Sequence, residues 1–140
     1  MNPLSQMKSI PLSKSKPDMS ELYILIVDDD PSLLKLTQRM FKYIRPKARI
    51  ITAATGSLAL EKIAKHPVNM LVTDYNLPAL NGVELAQRAI SLMPQLRIIL
   101  MSGHDEDSIR PQLKDVQIDG YLNKPFALKD LSTAVGSLGL

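Results

Sequence analysis

From about Glu21 onward, short apolar runs alternate with segments whose apolar residues recur at helical spacing. The runs Tyr23 to Val27, Arg49 to Ala53, Met70 to Thr73, Arg97 to Met101 and Gly120 to Leu122 predict β-strands. The central runs are apolar on both faces, as parallel strands are when helices cover both sides of a sheet; a half-exposed antiparallel sheet would alternate. Between them, Leu33, Leu36, Met40 and Ile44 mark one helical stripe, Ala59, Leu60, Ile63 and Ala64 a second, and Val83, Ala86 and Ile90 a third. Leu128, Leu131, Val135 and Leu138 mark a last helix. Asp30 is placed to cap the first helix and Pro31 to occupy its first position, where a missing N–H costs nothing. His66-Pro67 should end the second helix. A further helix is expected between Asp105 and Asp115, but Pro111 falls inside it and would delay its start or kink it. Five strands alternating with helices in this length predict an open, doubly wound α/β sheet with right-handed crossovers.

Ahead of this pattern, residues 1–20 are rich in Ser, Pro and Lys and carry neither period. They are expected to form a flexible leader, with residues 21–140 as the one globular domain. The whole chain has 140 residues, of which 45% are hydrophobic and 22% charged, so a continuous core is affordable without cross-links. Cysteine is absent, which excludes disulfides, thiolate metal sites and a cysteine nucleophile. No apolar run is long enough to span a bilayer and no signal-peptide pattern is present, so a cytoplasmic protein without membrane contact is expected. The formal net charge of +3 argues little for direct nucleic-acid binding, because Lys8, Lys14 and Lys16 lie in the leader and the other basic residues are scattered.

In an open parallel sheet, ligands bind beyond the carboxyl ends of the strands, where strand order reverses. Just past the apolar runs lie Asp28, Asp29 and Asp30 after the first, Asp74 after the third, Ser102 after the fourth and Lys124-Pro125 after the fifth. Three converging carboxylates need positive charge to remain ionised, which a lysine and a hard divalent cation would supply. Oxygen donors suit magnesium, with manganese as a substitute; neither zinc spacing nor a twelve-residue calcium loop exists. An aspartate can also attack phosphorus to form an acyl phosphate, given neutralisation and donors around the transferred oxygens. Against these readings, Asp28 and Asp29 abut an apolar strand and are poorly explained as surface decoration. Ser102 also suits a helix cap, and Tyr121 a half-buried strand-end aromatic. His66 and His104 lack ligand company and read as surface residues, while the seven methionines read as core filler.

Tyr23-Ile-Leu-Ile-Val-Asp-Asp-Asp-Pro, Thr73-Asp-Tyr-Asn-Leu-Pro-Ala-Leu-Asn-Gly, Leu100-Met-Ser-Gly and Gly120-Tyr-Leu-Asn-Lys-Pro-Phe resemble, in order and spacing, the motifs of bacterial response-regulator receiver domains. The resemblance runs from Glu21 to the C-terminus and implies a flavodoxin-like five-stranded parallel sheet of strand order 2-1-3-4-5. It implies Asp74 as phosphoacceptor, Asp29 as direct magnesium ligand, Asp28 as its water-mediated partner, and the main-chain carbonyl of Asn76 as a further ligand. Ser102 and Lys124 match the phosphoryl-binding pair, Ser102 and Tyr121 the switch residues, and Pro125 a proline usually preceded by a cis peptide bond. Asn76 and His104 occupy positions that vary in the family and influence how fast the phosphate is lost.

By the same resemblance the protein is a signalling module of a two-component phosphorelay, not an enzyme with a separate substrate. Its partners would be a sensor histidine kinase or phosphotransfer protein and an unidentified downstream protein, and a phosphorylation-dependent dimer is allowed. Two other classes compete. An aspartate-nucleophile phosphatase carries its nucleophile on the first strand with an acid two residues later, a spacing that Asp28 and Asp30 do have. A pseudo-receiver, acting only by binding, should have an incomplete acidic set, and this one is complete.

Overall fold

The computed structural model describes residues 22–140, so the leader expected over residues 1–20 lies outside the described residues. Five strands, β1 (Tyr23–Val27), β2 (Arg49–Ala53), β3 (Met70–Asp74), β4 (Arg97–Ser102) and β5 (Gly120–Asn123), form one sheet of order β2-β1-β3-β4-β5. Every neighbouring pair is parallel. Strands β3, β4 and β5 each run one residue past the apolar run, because the ladder continues into Asp74, Ser102 and Asn123. The strands thus deliver polar side chains directly to the carboxyl edge of the sheet.

Alternation along the strands splits the core in two. Leu25, Val27, Leu71, Ile98 and Leu100 point to one side, where helices α2 (Gly56–Lys65) and α3 (Gly82–Leu92) cover them with Ala59, Ile63, Leu85, Ala86 and Ala89. Ile24, Ile26, Met70, Val72, Ile99 and Met101 point to the other, under α1 (Pro31–Ile44) and α5 (Leu128–Gly136), which contribute Phe41, Leu131 and Val135. Leu138 is buried in the turn that follows α5, beyond the helix proper.

Helix α1 starts as expected: Asp30 Oδ1 accepts from the N–H groups of Ser32 (2.9 Å) and Leu33 (3.4 Å), and Pro31 holds the first position. Its packing face differs. Thr37 and Phe41 are buried, whereas Leu33 and Leu36 are exposed, Leu36 by 46%. The first half of the apolar stripe read from the sequence, Leu33 and Leu36, therefore faces outward, while Met40 and Ile44 pack with Leu34 against the core around Phe41. In α2, likewise, Ala64 faces outward while Ala59 and Ile63 are buried. The segment between Asp105 and Asp115 is one α-helical turn, α4 (Glu106–Ile109), followed by a 3₁₀ turn over Arg110–Leu113. Pro111 has no N–H to continue the α-helical ladder, and the tighter turn takes over.

Candidate functional site

The carboxyl edge of the sheet gathers residues from four strand ends. Asp28 follows β1, and its backbone N–H continues the ladder by donating to Ala53 O (3.2 Å), which leaves its side chain 1% exposed. Asp28 Oδ1 accepts from the N–H of Asp30 at 2.9 Å, while Asp28 Oδ2 accepts from Lys124 Nζ at 3.0 Å. Asp29 stays exposed on the loop. Asp74 closes β3, is 7% exposed, and accepts from Lys124 Nζ at 3.1 Å through Oδ2. Its Oδ1 accepts from the N–H of Asn76 at 3.4 Å. Oxygens of Asp28, Asp29 and Asp74 all lie within 4.8 Å of one another. They face a common point that a small, hard cation could occupy, and oxygen-only donors fit magnesium. Asp30 is not part of that cluster; its carboxylate caps α1.

Burial pushes the Asp74 carboxyl above its ordinary range, against the opposing pull of Lys124 and the Asn76 N–H. Burial alone would lower Lys124, but the two carboxylates it bonds outweigh that and raise it, so the ammonium stays charged at neutral pH. Lys124 is held by its own backbone N–H, which donates to Ser102 O at 2.7 Å; the Lys124-Pro125 peptide bond is cis. Ser102, fully buried at the end of β4, accepts through Oγ from the N–H of His104 at 2.9 Å. Tyr121 donates its hydroxyl to the carbonyl of His104 at 2.6 Å, which keeps that hydroxyl at the surface.

Two features escaped the sequence reading. Gly82 brings the first turn of α3 against the backbone of Asp74: a Cβ there would lie 2.3 Å from Asp74 O and 2.9 Å from Tyr75 Cα. Its place at a helix start, just after the Asp74 loop, was the available clue. Tyr75 reaches across to His104 and Gln112, and no local pattern signals that contact.

The fold and edge together define a flavodoxin-like α/β domain with a lysine-bridged aspartate cluster at its carboxyl edge. The chain belongs to the response regulator receiver domain family, whose model matches residues 24–136. It is 33% identical over 103 residues to the response regulator GtcR of Aneurinibacillus migulanus, covering 74% of this chain and 41% of that protein. The response regulator receiver protein CpdR of Brucella abortus is 28% identical over 108 residues, covering 77% of this chain and 88% of that one. Among solved structures, a CheY-like receiver domain protein from Methanospirillum hungatei superposes with a TM-score of 0.76 at 28% identity, covering 84% of this chain and 92% of that chain. The chain spans less than half the length of several curated relatives, 41% of GtcR and 46% of a KdpE transcriptional regulatory protein. It is thus a receiver domain of the two-component type, a signalling module. Among the described residues no helix is long and apolar enough to cross a membrane.

Proposed function

We propose that the chain accepts a phosphoryl group on Asp74 from the phosphohistidine of a sensor kinase or phosphotransfer protein, in the cytoplasm, and switches partner binding as a result. The observation that carries this reading is the bridge from Lys124 Nζ to both Asp28 Oδ2 (3.0 Å) and Asp74 Oδ2 (3.1 Å). Among the described residues, that bridge leaves Asp74 Oδ1 with the long contact to the Asn76 N–H alone. In the reaction, an Asp74 oxygen attacks phosphorus, the N–P bond of the donor breaks, and the imidazole leaves with that electron pair. Lys124 balances charge on the transferred oxygens, and the Ser102 hydroxyl, whose hydrogen is not used in accepting from His104, donates to one of them. Magnesium, or manganese in its place, would be held by Asp29 directly, by Asp28 through water, by Asp74 and by the Asn76 carbonyl, and would supply further neutralisation. The phosphatase alternative is disfavoured because Asp30 is engaged as a helix cap, and the pseudo-receiver because the acidic set is complete. Incubation with acetyl phosphate and magnesium is expected to add a single phosphoryl group by mass spectrometry; an unmodified chain would overturn the proposal.

The cation site carries its own expectation. Magnesium that binds only the folded state stabilises it by an amount that grows with the logarithm of its concentration above Kd, so added magnesium should raise the melting temperature. Asp29→Ala should remove most of that rise, whereas Asp30→Ala should keep it. Equal magnesium responses in the two variants would count against Asp29 as a ligand.

The outward stripe of α1 bears on the donor. Leu33, Leu36, Met40 and Tyr43, the last 76% exposed, are spaced three, four and three apart, the seam of a two-helix contact. Beside it a groove of about 250 Å³ is lined by Leu33, Leu36, Met40, Lys124, Pro125 and Phe126. Lys124 lines the groove and bonds Asp74, so a donor that brings phosphorus to Asp74 comes within reach of it, and the occupant is taken to be a helix of the phosphodonor protein. Leu36→Asp should slow transfer from the cognate donor about tenfold or more. Labelling by acetyl phosphate, which needs no docking, should be unaffected; slowing of both would remove the docking role.

For output, drawing the Ser102 hydroxyl toward the phosphoryl oxygens vacates space that Tyr121 can enter, altering the face of α4, β5 and α5. That face would take the downstream protein or a second phosphorylated copy. The change is a shift between two populated arrangements, not a refolding.

A further inference from the structure

Tyr75 directly follows Asp74, and its backbone is pinned on both sides. Its N–H donates to Met101 O at 2.7 Å and its carbonyl accepts from the Gly82 N–H at 2.8 Å. The side chain is therefore the part able to respond to events at Asp74. Its hydroxyl donates to Gln112 Oε1 on the 3₁₀ turn, and its ring meets the His104 ring edge-on, with centroids 6.1 Å apart and planes at 86°. His104 in turn is tied through its N–H to Ser102 Oγ and through its carbonyl to the Tyr121 hydroxyl. Tyr75 thus links the aspartate loop to the 3₁₀ turn and leans on the residue that connects Ser102 to Tyr121.

We infer that the Tyr75–Gln112 bond is a latch that fastens the 3₁₀ turn to the Asp74 loop before phosphorylation and opposes switching. The inference rests on the reading of Asp74 as phosphoacceptor and Ser102 as its hydroxyl partner. Movement of Ser102 Oγ toward a phosphoryl group carries the His104 backbone with it, since the His104 N–H is bonded to that oxygen. The His104 ring then shifts against Tyr75, whose hydroxyl is bonded to Gln112, so the motion works against that bond. Pro111 interrupts the α-helical ladder one residue before Gln112 and leaves a single 3₁₀ turn there, which gives an external tether more weight. A contact made in one state only biases the equilibrium by its own worth and, by linkage, weakens any ligand of the other state by the same factor.

Beryllofluoride with magnesium, a mimic of the phosphoryl group, measures this in the full chain by titration calorimetry. Tyr75→Phe and Gln112→Ala should each tighten beryllofluoride binding about three- to tenfold, the worth of one hydrogen bond. The double variant should gain no more than either single one, because both remove the same bond. Unchanged or weaker binding in the single variants, or gains that add in the double variant, would overturn the latch while leaving Asp74 in place. A wild-type chain that does not bind beryllofluoride at all would overturn the reading of Asp74, and the latch with it.

Discussion

Asp74→Asn is expected to abolish phosphorylation by acetyl phosphate and by any phosphohistidine donor, with no labelled species at times that label the wild type completely. The amide keeps the shape of the carboxylate but lacks the charge and the nucleophilic lone pair that the reaction consumes. Folding should survive. Burial holds the Asp74 carboxyl above its ordinary range, so the folded state binds a proton there more tightly than the unfolded chain does. Asp74 then costs no stability below the ordinary carboxylate range and costs progressively more as pH rises through its raised value. Without metal, the variant should melt at or above the wild type at neutral pH, with the gap closing as both are acidified. Equal labelling of wild type and variant by mass spectrometry would remove Asp74 as the acceptor. A variant unfolded at neutral pH would instead contradict the burial argument.

How much of this was legible before the structure depends on how many faces an element buries. Strands β1, β3 and β4 are covered on both sides, so apolar residues fall on both faces of each strand and the runs stand out. The end of β1 falls where its run ends, but β3 and β4 run one residue further because Asp74 and Ser102 are paired in the ladder yet polar, serving the site rather than the core. Helix α1 was harder. It is apolar on two sides, and the periodic stripe runs across both, with Leu33 and Leu36 exposed and Met40 and Ile44 against the core. The buried face includes Thr37, a polar residue that weakens its signal, and relies on Phe41 for volume. The acidic cluster was legible because topology alone brings strand ends together. Lys124 as a bridge between Asp28 and Asp74 was legible only as a convergence, since 96 residues separate it from Asp28. The Tyr75–Gln112 contact had no sequence signal, because neither residue type nor spacing marks an exposed side-chain pair 37 residues apart.

Gly82→Ala should be among the most damaging single-methyl changes in the domain. At most exposed helical positions alanine is favoured over glycine by up to about 1 kcal/mol, because glycine has more conformational freedom to lose. At residue 82 the added Cβ would stand 2.3 Å from Asp74 O, 2.9 Å from Tyr75 Cα and 3.0 Å from Asp74 C. All three are backbone atoms, so no side chain can swing aside. Either the first turn of α3 or the Asp74–Tyr75 peptide has to shift, and the Gly82 N–H bond to Tyr75 O, at 2.8 Å, ties the two together. The cost should be about 2–3 kcal/mol, at the upper end for overpacking. Because the displaced peptide carries Asp74, labelling by acetyl phosphate should slow as well. Gly136, the last residue of α5, is the control: a Cβ there meets nothing within 4 Å. Gly136→Ala should be neutral or stabilising by up to about 1 kcal/mol and should leave labelling unchanged. Urea denaturation of both variants alongside their labelling rates checks the contrast. If Gly82→Ala is as stable and as readily labelled as Gly136→Ala, the close approach of α3 to the Asp74 loop does not set the geometry of the site.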